Sequence, residues 1–108
     1  MPFYTYIATN KWHTVLYTGV TNDIYRRMSE HTSGTIPGFT QRYRVNKLVF
    51  VEEFEYIYDA LEAEKRIKGW TRKKKVHLIE SMNPHWNELA PSGDPSPSAQ
   101  NDRDQRDV

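Results

Sequence analysis

Six residues of this chain are of types that handle protons and phosphate charge, and their order suggests a site that cleaves phosphodiester bonds. They are Tyr6 and Tyr17, then Gly19, then Arg27 and His31 four positions apart, and finally the distant Glu64. Phenol, imidazole and carboxylate groups transfer protons or bind cations, and a guanidinium stabilises negative charge that develops on oxygen. Whether the six residues form one site depends on the strands and helices that carry them.

The length and composition of the chain set bounds on its class. Its 108 residues allow one domain with a modest core. No long apolar run is present, so we expect neither a membrane span nor a signal peptide. The absence of cysteine excludes disulfides and thiolate chemistry, and it makes a reducing cytoplasm the expected compartment.

The net charge of +1 conceals an uneven distribution along the chain. Residues 91–108 lack aromatic side chains and hold four Asp against two Arg, which predicts a disordered polar tail. Residues 1–90 therefore hold 13 Lys/Arg against 10 Asp/Glu, a net charge of +3. The basic residues occur in clusters that could meet a phosphate backbone, although a solvent-exposed, lysine-rich helix surface has the same pattern.

Two short strands, Phe3–Thr9 and Val15–Val20, are predicted from runs rich in Tyr and Thr. If a four-residue loop closes the hairpin, Tyr6 lies directly across from Tyr17 and both phenols point to the same face. Without a Cβ, Gly19 lets the backbone turn sharply or lie close to a phosphate; the alternative is an ordinary glycine at a strand end.

The first helix is predicted to begin at a cap formed by Thr21 or Asn22 and to end at Gly34. Arg27 and His31 fall on the same face as its apolar residues, so polar groups are directed toward the core or its edge. Either these two residues serve a site, or Arg27 pairs with a carboxylate and His31 is a hydrogen-bonded, partly buried histidine.

A second long helix is predicted to begin at Asp59, where Glu62 three residues later forms a capping-box pattern. Its expected inward face comprises Ile57, Ala60, Leu61 and Ile67. Glu64 falls within this apolar face, and burying a bare carboxylate costs several kcal/mol. The carboxylate must therefore be neutralised, either by an ion pair with Arg27 or by a metal ion close to that arginine.

The remaining elements are a strand, a loop and a third helix. A strand over 47–54 is predicted, and because residues 48–51 are apolar on both faces, we expect it to be the central strand. Segment 35–46 is predicted to be a loop with an irregular or extended second half. Thr71 is predicted to cap a helix that ends at Met82. The inward residues of that helix should be Val76, Ile79 and Met82.

These elements predict an α/β fold of the α+β type. We expect a small three-stranded, mainly antiparallel sheet flanked by about three helices, in the order β-β-α-β-α-α. The domain should span residues 1–90 and be followed by the polar tail 91–108.

The residues that carry these motifs resemble the GIY-YIG nucleases, and specifically their short stand-alone bacterial members, over residues 1–89. The two signature triplets correspond to Tyr4-Thr5-Tyr6 and Tyr17-Thr18-Gly19. Both tyrosines and the second glycine are kept, whereas the first glycine and both isoleucines are not. Further segments match in order and spacing, namely 20–31, Ala60–Lys65 and Lys68–Lys74.

The resemblance implies a role for each catalytic candidate. Glu64 would hold a single divalent cation, Mg²⁺ or Mn²⁺, with waters and a phosphate oxygen completing its coordination. Arg27 would contact the scissile phosphate and stabilise the transition state. Tyr6 would act as the general base or orient the attacking water, with Tyr17 beside it. His31 would relay the phenolic proton, because a phenol with a pKa of about 10 is a poor base at neutral pH.

Three further positions follow from the resemblance. Gly19 and Asn87 would support the site, Asn87 through an amide in the C-terminal segment. Asn22 stands where some family members carry lysine, so a second cationic contact is missing and activity could be lower or differently tuned.

The candidates for contacts to a nucleic-acid backbone are Arg26, Thr40, Arg42, Lys73, Lys74 and Lys75, with plain solvated charge as the alternative. The implied function is a metal-dependent endonuclease, structure-selective or weakly specific, acting on DNA rather than RNA in repair or recombination. A protein partner for specificity is also expected. The alternatives are a nucleic-acid-binding module with little or no cleavage, and a protein-interaction domain in which a Glu64–Arg27 pair is structural.

Overall fold

A computed structural model describes residues 2–34 and 38–89, which form one three-stranded antiparallel sheet with helices on both faces. The strands are β1 (Phe3–Thr9), β2 (Leu16–Thr21) and β3 (Lys47–Phe54), and the helices are α1 (Ile24–Ser33), α2 (Phe39–Arg42), α3 (Ile57–Lys68) and α4 (Arg72–Met82). The predicted α+β class and element order are confirmed; the one-turn α2 lies in the segment predicted as a loop. The predicted tail, 91–108, lies outside the described residues.

The central strand is β1 and not β3, because the strand order is β2-β1-β3. The prediction that β3 is central was wrong for a local reason. Ile7 pairs with Phe50 and Ala8 with Leu48, which leaves Val49 as a bulge residue that joins Phe50 in the same core. The outer edge of β3 is covered by the C-terminal segment: Asn83 Nδ2 donates to the Val49 oxygen at 3.0 Å.

The hairpin register also differs from the prediction. Tyr6 pairs with Gly19, and Tyr17 pairs with Ala8, because the loop between β1 and β2 has six residues, 10–15, rather than four. The Asn10 side chain holds this longer loop, since its Oδ1 accepts from the Thr14 backbone N–H at 2.8 Å. A shift of two positions keeps both phenols on the same face, as a shift of one would not.

The sheet separates two apolar clusters. The α1 side contains Tyr6, Ala8, Met28, Val45 and Leu48. The α3 and α4 side contains Ile7, Val49, Phe50, Ile67, Ile79 and Trp86. Within residues 2–34 and 38–89, no helix has the length and apolarity required to cross a membrane.

The helix boundaries differ from the sequence expectations at two N-termini. Asp23, rather than Thr21 or Asn22, caps α1, and its Oδ1 accepts from the Arg26 N–H at 3.1 Å. Gly34 ends that helix with a φ of 76°, as predicted. Helix α3 begins two residues before Asp59, which lies in its first turn and is not the cap.

The inward faces of α3 and α4 are narrower than predicted. Residues Ala60, Ala63 and Ile67 face the sheet, whereas Ile57 and Leu61 are 40% and 44% exposed. Helix α3 approaches β1 closely at Ala60, since Thr5 Oγ1 of β1 donates to the Ala60 oxygen at 2.7 Å. Met82 of α4 is 72% exposed, although it was predicted to face inward.

Candidate active site

The Tyr6 side chain is fully buried and lies against the backbone of Gly19. A Cβ at position 19 would lie 2.7 Å from the Tyr6 hydroxyl oxygen and 2.8 Å from Cζ, closer than real contacts allow. The sequence suggested a sharp turn or a nearby phosphate as the reason for this glycine. In the structure, the residue leaves space for the tyrosine ring on the neighbouring strand.

The Tyr6 hydroxyl connects β1 to two residues of α1. It is 2.9 Å from Nε2 of His31, and it accepts a hydrogen bond from Nε of Arg27 at 3.3 Å. His31 is buried and Arg27 is partly buried, as expected for their positions on the inward face of the helix. The structure therefore brings together three of the predicted site residues at one oxygen atom.

Tyr17 completes an aromatic cluster beside this oxygen. Its ring centroid is 6.2 Å from that of Tyr6 and 5.4 Å from that of His31, in an edge-on arrangement with the imidazole. Tyr17 is half-buried, so it forms the solvent side of the cluster. Tyr6 is thereby separated from bulk water but remains next to a residue that can contact a substrate.

The electrostatics of the cluster indicate where its protons reside. Burial raises the pKa of Tyr6 to about 12, against the opposing effect of the hydrogen bond from Arg27. Burial, followed by the positive charge of Arg27, lowers the pKa of His31 to about 4. At neutral pH the phenol is protonated and the imidazole is neutral, so Tyr6 can donate to Nε2. The proton of His31 then lies on Nδ1, which has no hydrogen-bond partner within the described part of the chain.

Arg27 remains a cation at the edge of the cluster. Burial acts to lower its pKa, but hydrogen bonds to Tyr6 and Glu30 outweigh that effect and leave the pKa raised. Its Nη1 lies 3.3 Å from Oε1 of Glu30. Arg27 also lines an open cleft of about 300 Å³, together with residues that include Arg26 and Ile57. The guanidinium therefore faces space large enough for part of a substrate.

Glu64 lies at the edge of the inward face of α3, with its side chain 21% exposed. Among the described residues, its carboxylate pairs with Lys68 at 3.2 Å and not with Arg27, so the structural Glu64–Arg27 pair considered above is absent. The negative charge of Glu64 contributes, after larger effects, to the raised pKa of Tyr6. The carboxylate is thus electrostatically coupled to the cluster.

The donor set at Glu64 fits one kind of metal site. The described residues contain no group of three or more His, Cys, Asp or Glu side chains that could enclose an ion. A single carboxylate is sufficient for Mg²⁺, which keeps several waters and is commonly held by one or two carboxylates plus substrate phosphate. Glu64 therefore fits a hydrated divalent cation that is shared with a substrate.

Asn87 is not part of the cluster around Tyr6. It is exposed, and its backbone N–H donates to Oδ1 of Asn83 at 3.0 Å. The buried amide of this segment belongs to Asn83, which holds β3 and the C-terminal turn together. The position of Asn83 at the end of α4, just before a proline, predicted the end of the helix. It did not predict that the Asn83 side chain also holds β3 and the C-terminal turn together.

The predicted nucleic-acid contacts are spread over three helices. Arg26 of α1 is exposed and bonds to Glu30 at 3.3 Å, and Arg42 of α2 lies over the Tyr43 ring at 5.6 Å. Lys73 and Lys74 of α4 line an open groove of about 440 Å³, and Lys75 is half-buried. Thr40 belongs to α2, and its side chain is outside the described structure.

Glu30 is a residue of the site that sequence reasoning missed. It pairs with Arg27 through one oxygen and with Arg26 through the other, both at 3.3 Å. The signal was present in the sequence, because spacings of three and four residues place a carboxylate beside both arginines on a helix.

The fold and the site define the class of the protein. A small α+β domain places a tyrosine over a glycine, an arginine and a histidine on the following helix, and a carboxylate on a later helix. The family model described as the GIY-YIG catalytic domain matches residues 2–77, and the chain belongs to this family. Nucleases of this superfamily are hydrolytic endonucleases that act on nucleic acid and generally use divalent metal ions.

The chain is similar to short proteins that consist of such a domain, which confirms the stand-alone type. A UPF0213 protein of Bacillus pumilus is 42% identical over 67 residues, covering 62% of this chain and 68% of the relative. UPF0213 protein YazA of Bacillus subtilis is 38% identical over 71 residues, covering 66% and 68%. The solution NMR structure of a UPF0213 protein from Bacillus halodurans has a TM-score of 0.53 and 30% identity, and the match covers 82% of this chain and 93% of that one.

Proposed function

We propose that this protein is an endonuclease that hydrolyses phosphodiester bonds in DNA with the help of Mg²⁺ or Mn²⁺ held at Glu64. The observation that carries the proposal is the Tyr6 hydroxyl, which lies between Nε2 of His31 at 2.9 Å and Nε of Arg27 at 3.3 Å. The enzyme is structure-selective or weakly specific and acts in repair or recombination. Specificity beyond this is supplied by a protein partner.

The proton of the attacking water moves through Tyr6. Forming a free phenolate from a phenol of pKa about 12 at pH 7 would cost about 7 kcal/mol. If the phenolic proton passes to Nε2 of His31 as the water proton arrives on the Tyr6 oxygen, no free phenolate forms, and the cost becomes that of protonating an imidazole of pKa about 4 at pH 7, about 4 kcal/mol. The neutral state of His31 leaves this nitrogen free to accept, and a bound phosphate anion favours the imidazolium that forms.

Arg27 supplies fixed positive charge where negative charge develops. Its guanidinium touches the Tyr6 oxygen and lines the cleft in which the scissile phosphate is placed. Glu30 anchors the guanidinium at 3.3 Å, so little reorganisation is needed when the substrate arrives.

The role of Glu64 is to bind the cation. A cation held there would supply positive charge next to the reacting phosphate. The carboxylate is currently paired with Lys68 at 3.2 Å, and both side chains are partly open to solvent. The ion pair is exposed enough to be weak, so the carboxylate can exchange the ammonium for a metal ion.

Arg26, Thr40, Arg42 and Lys73–Lys75 are proposed to contact the nucleic-acid backbone outside the site. Arg26 lies on the rim of the same cleft as Arg27, which makes it the nearest of these contacts to the cleaved bond. Each cation that neutralises a phosphate should contribute to the salt dependence of binding.

Cleavage of supercoiled plasmid and of branched DNA in Mg²⁺ or Mn²⁺ tests the proposal. We expect Tyr6→Phe, Arg27→Ala and Glu64→Gln each to lower the rate by about 100-fold or more. Glu62→Gln is the matched control, because this exposed carboxylate lies on the same helix and should leave cleavage unchanged. Cleavage that persists in Glu64→Gln would contradict the metal assignment.

A second function, nucleic-acid binding without cleavage, is favoured by two observations. Lys68 occupies the Glu64 carboxylate, and Asn22 stands where some family members have lysine. Salt-sensitive DNA binding with no cleavage of plasmid, branched or single-stranded DNA in either metal would establish this second function instead.

A further inference from the structure

The loop between β1 and β2 is held in one conformation by contacts from several parts of the chain. Asn10 is buried and bonds to both the backbone and the hydroxyl of Thr14, at 2.8 and 2.6 Å. His13 adopts a φ of 58°, which is uncommon for a residue with a side chain, and stacks on Trp86 at 4.6 Å. Arg72 of α4 donates to the backbone oxygens of His13 and Thr14. The loop therefore has a single, well-defined conformation.

This rigid loop presents Trp12 to solvent. The Trp12 side chain is 63% exposed, and among the described contacts the ring interacts with Lys11, whose Nζ lies 5.2 Å from its centroid. Burial of a tryptophan ring contributes a large favourable free energy. Here Asn10 before the ring and His13 after it are held in place, whereas the ring itself is exposed to solvent. An exposed aromatic ring on a preformed loop is typical of a contact that is completed by a ligand.

The surroundings of Trp12 are positively charged. Lys11 lies beside the ring, Lys47 bonds to Nε2 of His13 at 3.0 Å, and Arg72 approaches the loop from α4. Cations interleaved with an exposed aromatic ring suit a strand of nucleic acid, whose phosphates meet the cations and whose bases stack on the ring. One isolated tryptophan surrounded by cations suits a hydrophobic protein partner poorly.

We propose that Trp12, supported by Lys11, is a base-stacking contact for an unpaired stretch of nucleic acid. This inference rests on the proposed function, because it assigns the substrate of the same enzyme an unpaired segment at the loop end of the β1–β2 hairpin, opposite the end where Arg27 lines its cleft. Tyr6 and Trp12 are six residues apart along β1 and the loop, at most about 20 Å. Even when stacked at about 3.4 Å per nucleotide, a strand of twelve nucleotides is long enough to reach both.

The test is equilibrium binding to two labelled strands of twelve nucleotides and equal charge, oligothymidylate and its fully abasic analogue. Binding is measured by fluorescence anisotropy in a chelating buffer, so that cleavage does not contribute. We expect the wild-type protein to bind oligothymidylate about tenfold more tightly than the abasic strand. Trp12→Ala should abolish that difference without changing the abasic affinity, and Trp12→Phe should retain most of it.

Two controls separate stacking from other effects. Tyr58→Ala removes an aromatic ring that is 81% exposed on α3, and it should leave the tenfold difference intact. Lys11→Ala should weaken both strands equally and reduce the slope of log K against log salt by about 0.7, the value for one phosphate contact on single-stranded DNA.

Equal affinity of the wild-type protein for the two strands would overturn the proposal, as would an unchanged preference in Trp12→Ala. The second result would leave the loop as a surface for a protein. The outcome is distinguishable from a failure of the proposed function. A Trp12-dependent preference without cleavage in metal would refute the endonuclease and keep the stacking contact, whereas cleavage without that preference would do the reverse.

Discussion

The chemistry of the site depends on one oxygen atom whose position three elements determine. Tyr6 comes from β1, the space for its ring comes from Gly19 on β2, and its hydrogen-bond partners come from α1. Gly19 is therefore a positioning residue. A glycine is needed there because the Tyr6 ring occupies the space that a Cβ would fill.

Gly19→Ala should displace the Tyr6 hydroxyl from His31. The new Cβ would lie 2.7 Å from the hydroxyl oxygen, and a fully buried ring has no free space into which to move. We expect a loss of about 1–3 kcal/mol in unfolding free energy from the overpacking, together with a large loss of cleavage. Urea denaturation and plasmid nicking measure the two effects.

Gly69→Ala is the matched control for that substitution. A Cβ at position 69 would lie 3.6 Å from the Arg66 oxygen, an ordinary contact, and the residue has a right-handed helical backbone. It should change stability and cleavage little. If Gly19→Ala were equally mild, the tyrosine would not depend on the glycine for its position.

His31 should make the stability of the protein depend on pH. Its pKa is about 4 in the folded protein and 6.5 ordinarily, so the unfolded chain takes up the proton first as the pH falls. Lowering the pH from 7.5 to 5 should therefore destabilise the fold by about 2 kcal/mol through this residue, with no contribution above pH 7.5. The measurement is urea unfolding of the wild-type protein and His31→Gln at each pH.

The difference between the two proteins isolates His31 from other titrating groups. His31→Gln should lose about 2 kcal/mol less than the wild type over this interval, whatever its stability at pH 7.5. Identical losses in the two proteins would mean that folding leaves the pKa of His31 near its ordinary 6.5. A smaller loss in the wild-type protein would mean that the imidazole is already protonated in the fold, and the proton relay through Nε2 would then be untenable.

At the scale of elements, the sequence predicted which segments are helices and strands better than it predicted their neighbours. Gly34 ends α1 and Thr71 caps α4 as expected, because both signals act within a few residues. The prediction that β3 is the central strand was wrong, because a run of apolar residues indicates that a strand is buried but not which element buries it. Here a bulge at Val49 and the C-terminal segment provide the cover.

The inward placement of two candidate site residues was predictable from the sequence, but their contacts were not. The periodicity of α1 placed Arg27 and His31 inward, and both are there. The register of Tyr6 depended on a loop length that is set by contacts of the loop itself, among them those of Asn10 and of the distant Arg72. Of the two alternatives for Glu64, the ion pair with Arg27 is absent among the described residues, because the carboxylate pairs with Lys68 one turn along the same helix at 3.2 Å.

Asn83→Ala should remove the hydrogen bonds that hold the C-terminal segment to β3. The Asn83 amide is buried, donates to the oxygens of Val49 and Asn87, and accepts from the Asn87 N–H, each at 3.0 Å. Its removal leaves a buried carbonyl of the bulge without its donor, so we expect a loss of about 2–3 kcal/mol in the free energy of unfolding. Urea denaturation monitored by tryptophan fluorescence provides the measurement.

Ser81→Ala is the control for that experiment. Ser81 is exposed on the last turn of α4, and its hydroxyl bonds only locally to the Leu78 oxygen at 2.7 Å. We expect a change within about 0.5 kcal/mol. A loss of that small size in Asn83→Ala would show that the C-terminal segment adds little to the stability of β3.

At the scale of the whole molecule, positive charge is spread over many elements. Cations lie on α1, α2, α3 and α4 and beside the loop at Trp12, and residues 1–90 carry a net charge of +3. Such a distribution attracts a polyanion from several directions and orients it weakly. The selectivity of the domain among nucleic acids must therefore come from the shape of the cleft that Arg27 lines and from base stacking on Trp12.

The polar tail should oppose this attraction. Residues 91–108 contribute four Asp and two Arg, which lowers the net charge of the chain from +3 to +1. Removing them should strengthen binding to single-stranded DNA by about twofold to threefold at 50 mM salt, and the gain should vanish at 300 mM, where charges are screened within about 6 Å. A full-length variant in which Asp94, Asp102, Asp104 and Asp107 are changed to Asn should reproduce the gain. If the truncated protein binds more tightly and the Asn variant does not, the tail acts through its bulk rather than its charge.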